Sequence, residues 1–273
     1  MKVYYCFPEG KFKALTMSYD DGVRADRRLI SIFNEHGIRG TFNLNYNRTV
    51  KDISEVNENG RIPASEVAQL YKGHEVATHT SHHPTIARCP LTYVAEEILE
   101  DRKGLESLVG YQVRGHAYPN GSYTKEIEQL FRFMGIAYGR VAASEPSFEL
   151  PENPMEWKGT CHHKDPKLME YARDFVHFNK KQYLRLMYVW GHSYEFDRDD
   201  NWNVIQAFCE FVGGRSDIWY ATNIEIIDYM EVLKRLQFNA ACDGVYNPSA
   251  QSAWLSINDN TIVEAKGGCF TAF

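Results

Sequence analysis

The chain has 273 residues, of which 44% are hydrophobic and 24% charged, and its formal net charge of −6 leaves no basic surface for nucleic acid or anionic lipid. No stretch reaches the roughly 20 apolar residues that a membrane span needs, and the N-terminus lacks an apolar signal-peptide core, so we expect a cytoplasmic protein without membrane contact. The six cysteines form no C-x-x-C pair, which argues against a disulfide scaffold and against a zinc knuckle.

Strand and helix patterns alternate along most of the chain. The predicted strands are residues 14–20, 39–45, 74–80, 112–118, 136–141, 184–190 and 217–222. The predicted helices are residues 26–36, 63–72, 91–109, 124–134, 166–178, 202–212 and 224–236. Residues 142–164 hold three prolines and no clear period, and we expect an extended surface loop there. About seven βα units favour an α/β fold, a distorted TIM-like barrel with one unit missing, and an open doubly wound sheet is the alternative.

The last 37 residues break this rhythm. The stretch SAWLSINDNTIVEA, residues 252–265, predicts a β-hairpin that turns around Asn258, Asp259 and Asn260. We therefore expect one barrel domain over residues 1–236 and a C-terminal β extension over residues 237–273 that packs on the same domain.

Unusual polar residues fall at the ends of the predicted strands. In chain order these clusters are Asp20 with Asp21, HTSHHP (residues 79–84), AYPNG (residues 117–121), Arg140, and WGHSYEF (residues 190–196). Because the strands of a parallel barrel all open at their C-terminal ends on one face, where active sites are found, we expect the five clusters to meet at one mouth.

Two of these clusters together offer a set of metal ligands. His79 and His83 are four residues apart, which brings both imidazoles to one side if the chain turns helically after the strand. One carboxylate from the Asp20–Asp21 pair completes a set of two histidines and one aspartate, for which Zn²⁺ is the leading candidate and Co²⁺, Ni²⁺, Fe²⁺ or Mn²⁺ are alternatives. The other aspartate can then accept a proton from the water that the metal makes acidic.

The same residues resemble the motifs of a known family. SYDDG, residues 18–22, and HTSHHP are similar to the T/S-F-D-D-G and H-S/T-x-x-H-P motifs of the polysaccharide deacetylase family, the NodB-homology domain of carbohydrate esterases. The resemblance implies the barrel fold, with Asp20 as the catalytic base and Asp21, His79 and His83 as the metal ligands.

The third motif of that family, R-x-P-F/Y, is altered in this chain. Its arginine orients the catalytic base, but HAYPNG has Ala117 at this position. We expect Arg140, at the next strand end, to replace it, although Arg140 is also interpretable as a solvated strand-end charge, and Arg114 would lie deeper in the strand. By the same resemblance, the backbone N–H of Asn120 lies where the family places an oxyanion donor.

The fifth motif, L-x-H, resembles VWGH, which makes His192 the candidate general acid, expected on the side of the metal opposite Asp20. The fourth motif, an Asp-Trp pair, is not intact. Glu195 is close enough in sequence to reach the same mouth, while His162 and His163 are interpreted as polar loop residues. The predicted substrate contacts are Tyr118, Pro119, Trp157 and Trp190, with packing under the loop as the alternative for Trp157.

These residues predict a metal-dependent hydrolase, and the resemblance to that family implies that it removes an N-acetyl or similar acyl group from an amino sugar or small oligosaccharide. One alternative is a hydrolase of a non-sugar C–N bond on the same fold, and another is a catalytically inactive barrel that binds glycans. Retention of the three ligands, the base and the acid favours an active enzyme. A homo-oligomer is compatible with the sequence.

Overall fold

A computed structural model describes residues 1–49 and 60–273 of the chain. The strands in the described ranges are β1 (Val3–Cys6), β2 (Lys13–Asp20), β3 (Gly40–Leu44), β4 (Glu75–Thr78), β5 (Gly115–Ala117), β6 (Tyr138–Ser144), β7 (Trp157–Gly159), β8 (Cys161–His162), β9 (Arg185–Gly191), β10 (Ile218–Tyr220), β11 (Gln237–Phe238), β12 (Gly244–Tyr246), β13 (Ala253–Ile257), β14 (Thr261–Ala265) and β15 (Phe270–Ala272). The helices are α1 (Asp26–Glu35), α2 (Ala64–Leu70), α3 (Leu91–Val109), α4 (Lys125–Phe133), α5 (Leu168–His177), α6 (Tyr194–Arg198), α7 (Trp202–Val212) and α8 (Asn223–Arg235).

The central sheet is parallel throughout and has the strand order β7-β6-β5-β4-β3-β2-β9-β8. The short strand β10 adds to β2 beside the start of that strand. Only Thr160 separates β7 from β8 in the chain, so the two ends of the sheet come together. The predicted α/β barrel-like fold is therefore confirmed.

The strands around the candidate site are buried because helices cover them. Every residue of β2 is buried, as is every residue of β3. Helix α1 packs its apolar face on these strands, and the ring of Phe33 meets Tyr19 edge-on with centroids 5.9 Å apart. Rigid strands under this packing fix the positions of the residues that follow their C-terminal ends.

The prediction of a loop over residues 142–164 is wrong. Strand β6 continues to Ser144, and β7 and β8 form inside the expected loop. These strands have three and two residues, which is too short for an alternating pattern to show, and the prolines before them give only turn signals. The central sheet consequently has nine strands among the described residues, against seven predicted.

The C-terminal residues contain the predicted hairpin, formed by β13 and β14. Asn258 and Asp259 in its turn have φ angles of 51° and 64°, a left-handed conformation that Asn and Asp tolerate better than most residues. Strand β1 pairs antiparallel with β13, a partnership between the two ends of the chain that the sequence analysis does not predict. The apolar side chains of Val245 and Leu255 pack in one cluster with residues of α8.

Among the described residues, no helix has both the length and the apolar character needed to span a membrane.

Candidate active site

The ends of β2 and β4 bring together the three predicted metal ligands. Asp21 follows β2, and His79 and His83 follow β4. The ligand atoms of these three side chains all lie within 4.8 Å of one another. Two imidazole nitrogens and one carboxylate oxygen in this arrangement fit a catalytic zinc ion, or another divalent ion that prefers the same nitrogen and oxygen ligands.

The backbone that presents the ligands is in an unusual conformation. Asp21, Thr80 and His83 have φ angles of 82°, 59° and 61°, where residues other than glycine are uncommon. Hydrogen bonds hold this conformation: the amide of Asn45 donates to the carbonyl oxygens of His79 and Thr80 at 2.6 and 2.7 Å. The hydroxyl of Thr80 accepts from the backbone N–H of His83 at 3.1 Å. Backbone strain of this kind is concentrated at functional sites.

The ring of His79 is oriented for metal binding. Its Nδ1 lies 2.7 Å from the carbonyl oxygen of Ala117 and donates to it, which leaves the lone pair on Nε2. Burial lowers the pKa of His79 to about 4, so the imidazole is neutral at physiological pH, as a ligand must be. The rings of His79 and His83 meet edge-on with centroids 4.7 Å apart.

Asp20 is buried beside these ligands with one oxygen held and the other free. Oδ1 accepts hydrogen bonds from the guanidinium of Arg140 and from the amide of Asn43, the latter at 2.8 Å. Oδ2 lies 4.0 Å from Nε2 of His79 and 3.7 Å from Nε2 of His192. Burial raises the pKa of Asp20, but the charge of Arg140, with the two imidazoles, outweighs burial and leaves that pKa well below its usual range.

Arg140 reaches Asp20 from the strand next to the one that carries the altered motif. Ala117 on β5 and Arg140 on β6 are partners in the parallel register. The Arg140 side chain is fully buried, so the interpretation as a solvated charge is wrong. Its guanidinium carbon lies 5.0 Å from the ring centroid of Trp190.

His192 lies between two carboxylates. Its Nε2 faces Asp20, and its Nδ1 is 3.5 Å from Oε2 of Glu195. Burial lowers the pKa of His192, whereas Glu195 and Asp20 raise it, and the net direction is upwards. The predicted position of His192, on the side of the metal opposite Asp20, does not agree with the structure, because Nε2 of His192 lies only 3.7 Å from Oδ2 of Asp20.

Asn120 sits in a short turn after β5 with a φ angle of 56°. Its side-chain amide donates to the hydroxyl of Thr85 at 3.1 Å, next to the metal-ligand segment. The backbone N–H of Asn120 donates to no residue in the described part of the chain, so it is available to an incoming oxygen atom.

Of the four predicted substrate contacts, only Trp190 is partly exposed. Tyr118, Pro119 and Trp157 are buried, and the ring of Trp157 packs edge-on against Tyr188 at 4.9 Å. This burial does not fit direct contact of these three side chains with a substrate. The alternative packing role of Trp157 agrees with its position.

Two further residues at the site are not identified from the sequence. Asn43, on β3, holds Asp20, and a polar residue in the middle of RGTFNLN was a readable signal for it. Arg61 donates to the carbonyl oxygen of Asp21 and lies 3.3 Å from its Oδ1, and no sequence pattern indicates this contact. Glu195, which the sequence predicts within reach of the same mouth, does lie there, next to His192.

Comparisons with known proteins agree with the fold and with the motifs of this chain. The polysaccharide deacetylase family model matches residues 8–139. The structure is similar to a candidate polysaccharide deacetylase from Mycobacterium smegmatis, with 15% identity, 84% of this chain and 93% of that chain covered, and a TM-score of 0.61. It is also similar to Puue allantoinase, with 13% identity, coverage of 81% and 91%, and a TM-score of 0.60. At these identities the similarity shows the fold.

A third similar structure is the Xyl-CE4 domain of a multidomain xylanase from the hindgut metagenome of Trinervitermes trinervoides. Its identity is 15%, with 81% of this chain and 92% of that chain covered and a TM-score of 0.54. No curated protein matches the sequence significantly. The region that the family model matches holds both motifs and all three residues of the donor set, and the resemblance of this chain to the polysaccharide deacetylase family is thereby confirmed.

Proposed function

We propose that this protein is a metal-dependent hydrolase that removes an N-acetyl or similar acyl group from an amino sugar or small oligosaccharide. The observation that carries the proposal is the convergence of Asp21, His79 and His83 within 4.8 Å beside the buried carboxylate of Asp20. These three side chains would hold a divalent ion, with zinc the leading candidate. When bound, such an ion polarises an acyl carbonyl and increases the acidity of water.

Asp20 is the general base in this proposal. Arg140 and Asn43 fix Oδ1, so only Oδ2 is open to take the proton of an attacking water. Because the pKa of Asp20 lies well below its usual range, the carboxylate is ionised and ready to accept a proton at neutral pH.

His192 is the general acid. The neighbouring carboxylates of Asp20 and Glu195 raise its pKa, which favours the imidazolium form that can donate a proton. The proton goes to the amine nitrogen as its bond to the acyl carbon breaks. Since Nε2 of His192 lies 3.7 Å from Oδ2 of Asp20, the proton that Asp20 accepts can pass to His192 and restore both groups for the next cycle.

Two other groups complete the site. In this proposal the backbone N–H of Asn120, which donates to no residue in the described part of the chain, donates to the oxyanion that develops on the acyl carbonyl. The partly exposed ring of Trp190 offers an apolar face to a sugar, and Ser144 fixes that ring by accepting from its Nε1 at 2.9 Å. A sugar substrate is further supported by the family whose model matches this chain.

The test is acetate release by protein that has been stripped of metal and reloaded with Zn²⁺, Co²⁺, Ni²⁺ or Mn²⁺. The substrate panel contains N-acetylated amino sugars, their short oligosaccharides, a ureide and simple acetamides, with Asp20→Asn as the inactive control. We expect metal-dependent release from the sugars. Turnover of the ureide or amides alone would assign a non-sugar C–N hydrolase, and glycan binding without turnover would assign an inactive barrel.

A further inference from the structure

Buried polar atoms without hydrogen-bond partners face each other next to the candidate active site. Among the described residues, Nε2 of His163 and Oε2 of Glu195 have no such partner. The Glu195 oxygen lies 3.1 Å from Nε2 of His162 and 3.4 Å from Nε2 of His163. Burial raises the pKa of Glu195, but the histidines around this carboxylate outweigh burial and hold that pKa well below its usual range, so Glu195 is ionised. Unpartnered buried polar groups are costly, so Nε2 of His163 and Oε2 of Glu195 are suited to a ligand that binds both.

The separations match those between the ligands of a tetrahedral ion. Bonds of 2.0–2.1 Å to a tetrahedral zinc place neighbouring ligand atoms about 3.3 Å apart. The ligand atoms of His162, His163 and Glu195 all lie within 4.8 Å of one another. Lys164 and Arg198 contact the other carboxylate oxygen, Oε1, at 3.2 and 3.1 Å, which leaves Oε2 directed at the two histidines.

The ring of His163 is fixed in this position. It stacks on Tyr19 with centroids 5.6 Å apart and on Phe196 with centroids 4.1 Å apart. A Cβ atom at Gly191 would lie 2.0 Å from its Nδ1, so only glycine leaves room for the ring there. A ligand nitrogen that is already held in place loses little freedom when it binds an ion.

His162 has to change one contact to bind through Nε2. Its Nδ1 accepts from the backbone N–H of Lys164 at 3.2 Å. Binding at Nε2 moves the imidazole proton to Nδ1, and this long hydrogen bond is lost in exchange for a metal–ligand bond. The His162 side chain is 22% exposed, which gives an ion a route from solvent to the cluster.

We propose that His162, His163 and Glu195 form a second divalent-metal site, separate from Asp21, His79 and His83, that takes zinc or an ion of similar preference. His162 ends β8 and Glu195 belongs to α6, so the ion joins two segments that are 33 positions apart in the chain. It would stabilise the wall of the cleft that carries His192. The site shares Glu195 with the proposed hydrolase, where that carboxylate raises the pKa of His192, so the test counts bound metal and not turnover.

The experiment counts zinc per chain after equilibrium dialysis of the full-length protein. The variants are His162→Gln, Glu195→Gln, His83→Gln and the double variant His83→Gln/His162→Gln. His177→Gln, at an exposed histidine of α5, is the matched control. We expect two ions in the wild type and in the control, one in each single-site variant, and none in the double variant. We also expect zinc to raise the Tm of His83→Gln but not that of the double variant.

A single ion that disappears in His83→Gln and persists in His162→Gln would overturn this inference and leave the proposed hydrolase intact. Two ions in both His162→Gln and Glu195→Gln would also overturn it. The reverse pattern, loss in His162→Gln with no effect of His83→Gln, would support the second site and remove the metal from the proposed hydrolase. If His162→Gln fails to fold, Glu195→Gln decides, because it preserves the shape of the side chain.

Discussion

Arg140 stands beside Ala117 in the register of β5 and β6 and binds Asp20 from that position. Parallel neighbours in a sheet present their strand ends to the same mouth, so a guanidinium from either strand can reach the end of β2. The cation that holds Asp20 ionised therefore comes from β6. The effect of this cation on Asp20 is open to direct measurement.

Arg140→Met is expected to move the acid limb of the pH profile of kcat/KM to higher pH. Asp20 acts as a base only when ionised, and without Arg140 the burial that raises its pKa is no longer outweighed. Arg114→Met is the control, because the Arg114 guanidinium binds Asp228 instead. Arg140→Lys keeps the charge and is expected to shift the limb less. An unchanged acid limb in a folded Arg140→Met protein would contradict the role given to Arg140.

The two adjacent aspartates are expected to differ in what they do. Asp20→Asn removes the base and is expected to lower turnover by about 10²–10⁴-fold while the zinc content stays at the wild-type value. Asp21→Asn removes a ligand and is expected to weaken zinc binding itself. The measurement is the zinc content and the turnover of both variants. An equal loss of zinc in the two would contradict the assignment of Asp20 as the base and Asp21 as the ligand.

His192→Ala is expected to lower turnover of amide substrates by about 10²–10⁴-fold with the wild-type metal content. The loss is expected to be smaller for an activated acetate ester, because its leaving group departs without needing a proton. His177→Ala serves as the control at an exposed site. Equal losses for amide and ester would mean that His192 does not act as the acid.

Glu75 provides a pH effect on stability that is unrelated to catalysis. Burial raises its pKa from 4.5 to about 7, and hydrogen bonds from Ile224, Thr41 and Tyr138 offset only part of this effect. Between these two values the folded chain keeps a proton that the unfolded chain has lost, so the free energy of unfolding falls as pH rises. Over this pH range, the decrease in the free energy of unfolding that is attributable to Glu75 is on the order of 3 kcal/mol.

Glu75→Gln is expected to flatten this pH dependence, whatever its effect on absolute stability. The measurement is urea unfolding at several pH values from 4.5 to 7.5, compared with wild type and with Glu96→Gln, an exposed residue of α3. A variant whose slope equals that of the wild type would show that Glu75 is ionised throughout this range.

The motifs at the strand ends were predictable because each combines a local pattern with an unusual residue. Asp20 and Asp21 stand at the end of a predicted strand, and the four-residue spacing of His79 and His83 suits two ligands of one metal ion. Such signals lie within a few positions of one another, and the alternation of strands and helices is enough to place them on one face.

The features that the sequence does not predict depend on contacts between residues that are far apart in the chain. Glu195 meets His162 only because two segments with no common pattern fold together. The burial of Tyr118 and Trp157 depends on which side of a short strand each ring occupies, and aromatic residues suit a core as well as a cleft. Strands as short as β8 are defined by their neighbours in the sheet.

The pairing of β1 with β13 has a consequence for synthesis of the chain. The backbone N–H of Lys2 donates to Oδ1 of Asn258 at 2.9 Å across a separation of 256 positions. Strand β1 must therefore wait, without its edge partner, until β13 has been translated. Closing so long a loop is a late and slow event, because the chain loses conformational entropy before the strands form the contacts that stabilise their pairing. The synthesis of β13 thus decides when β1 can become ordered.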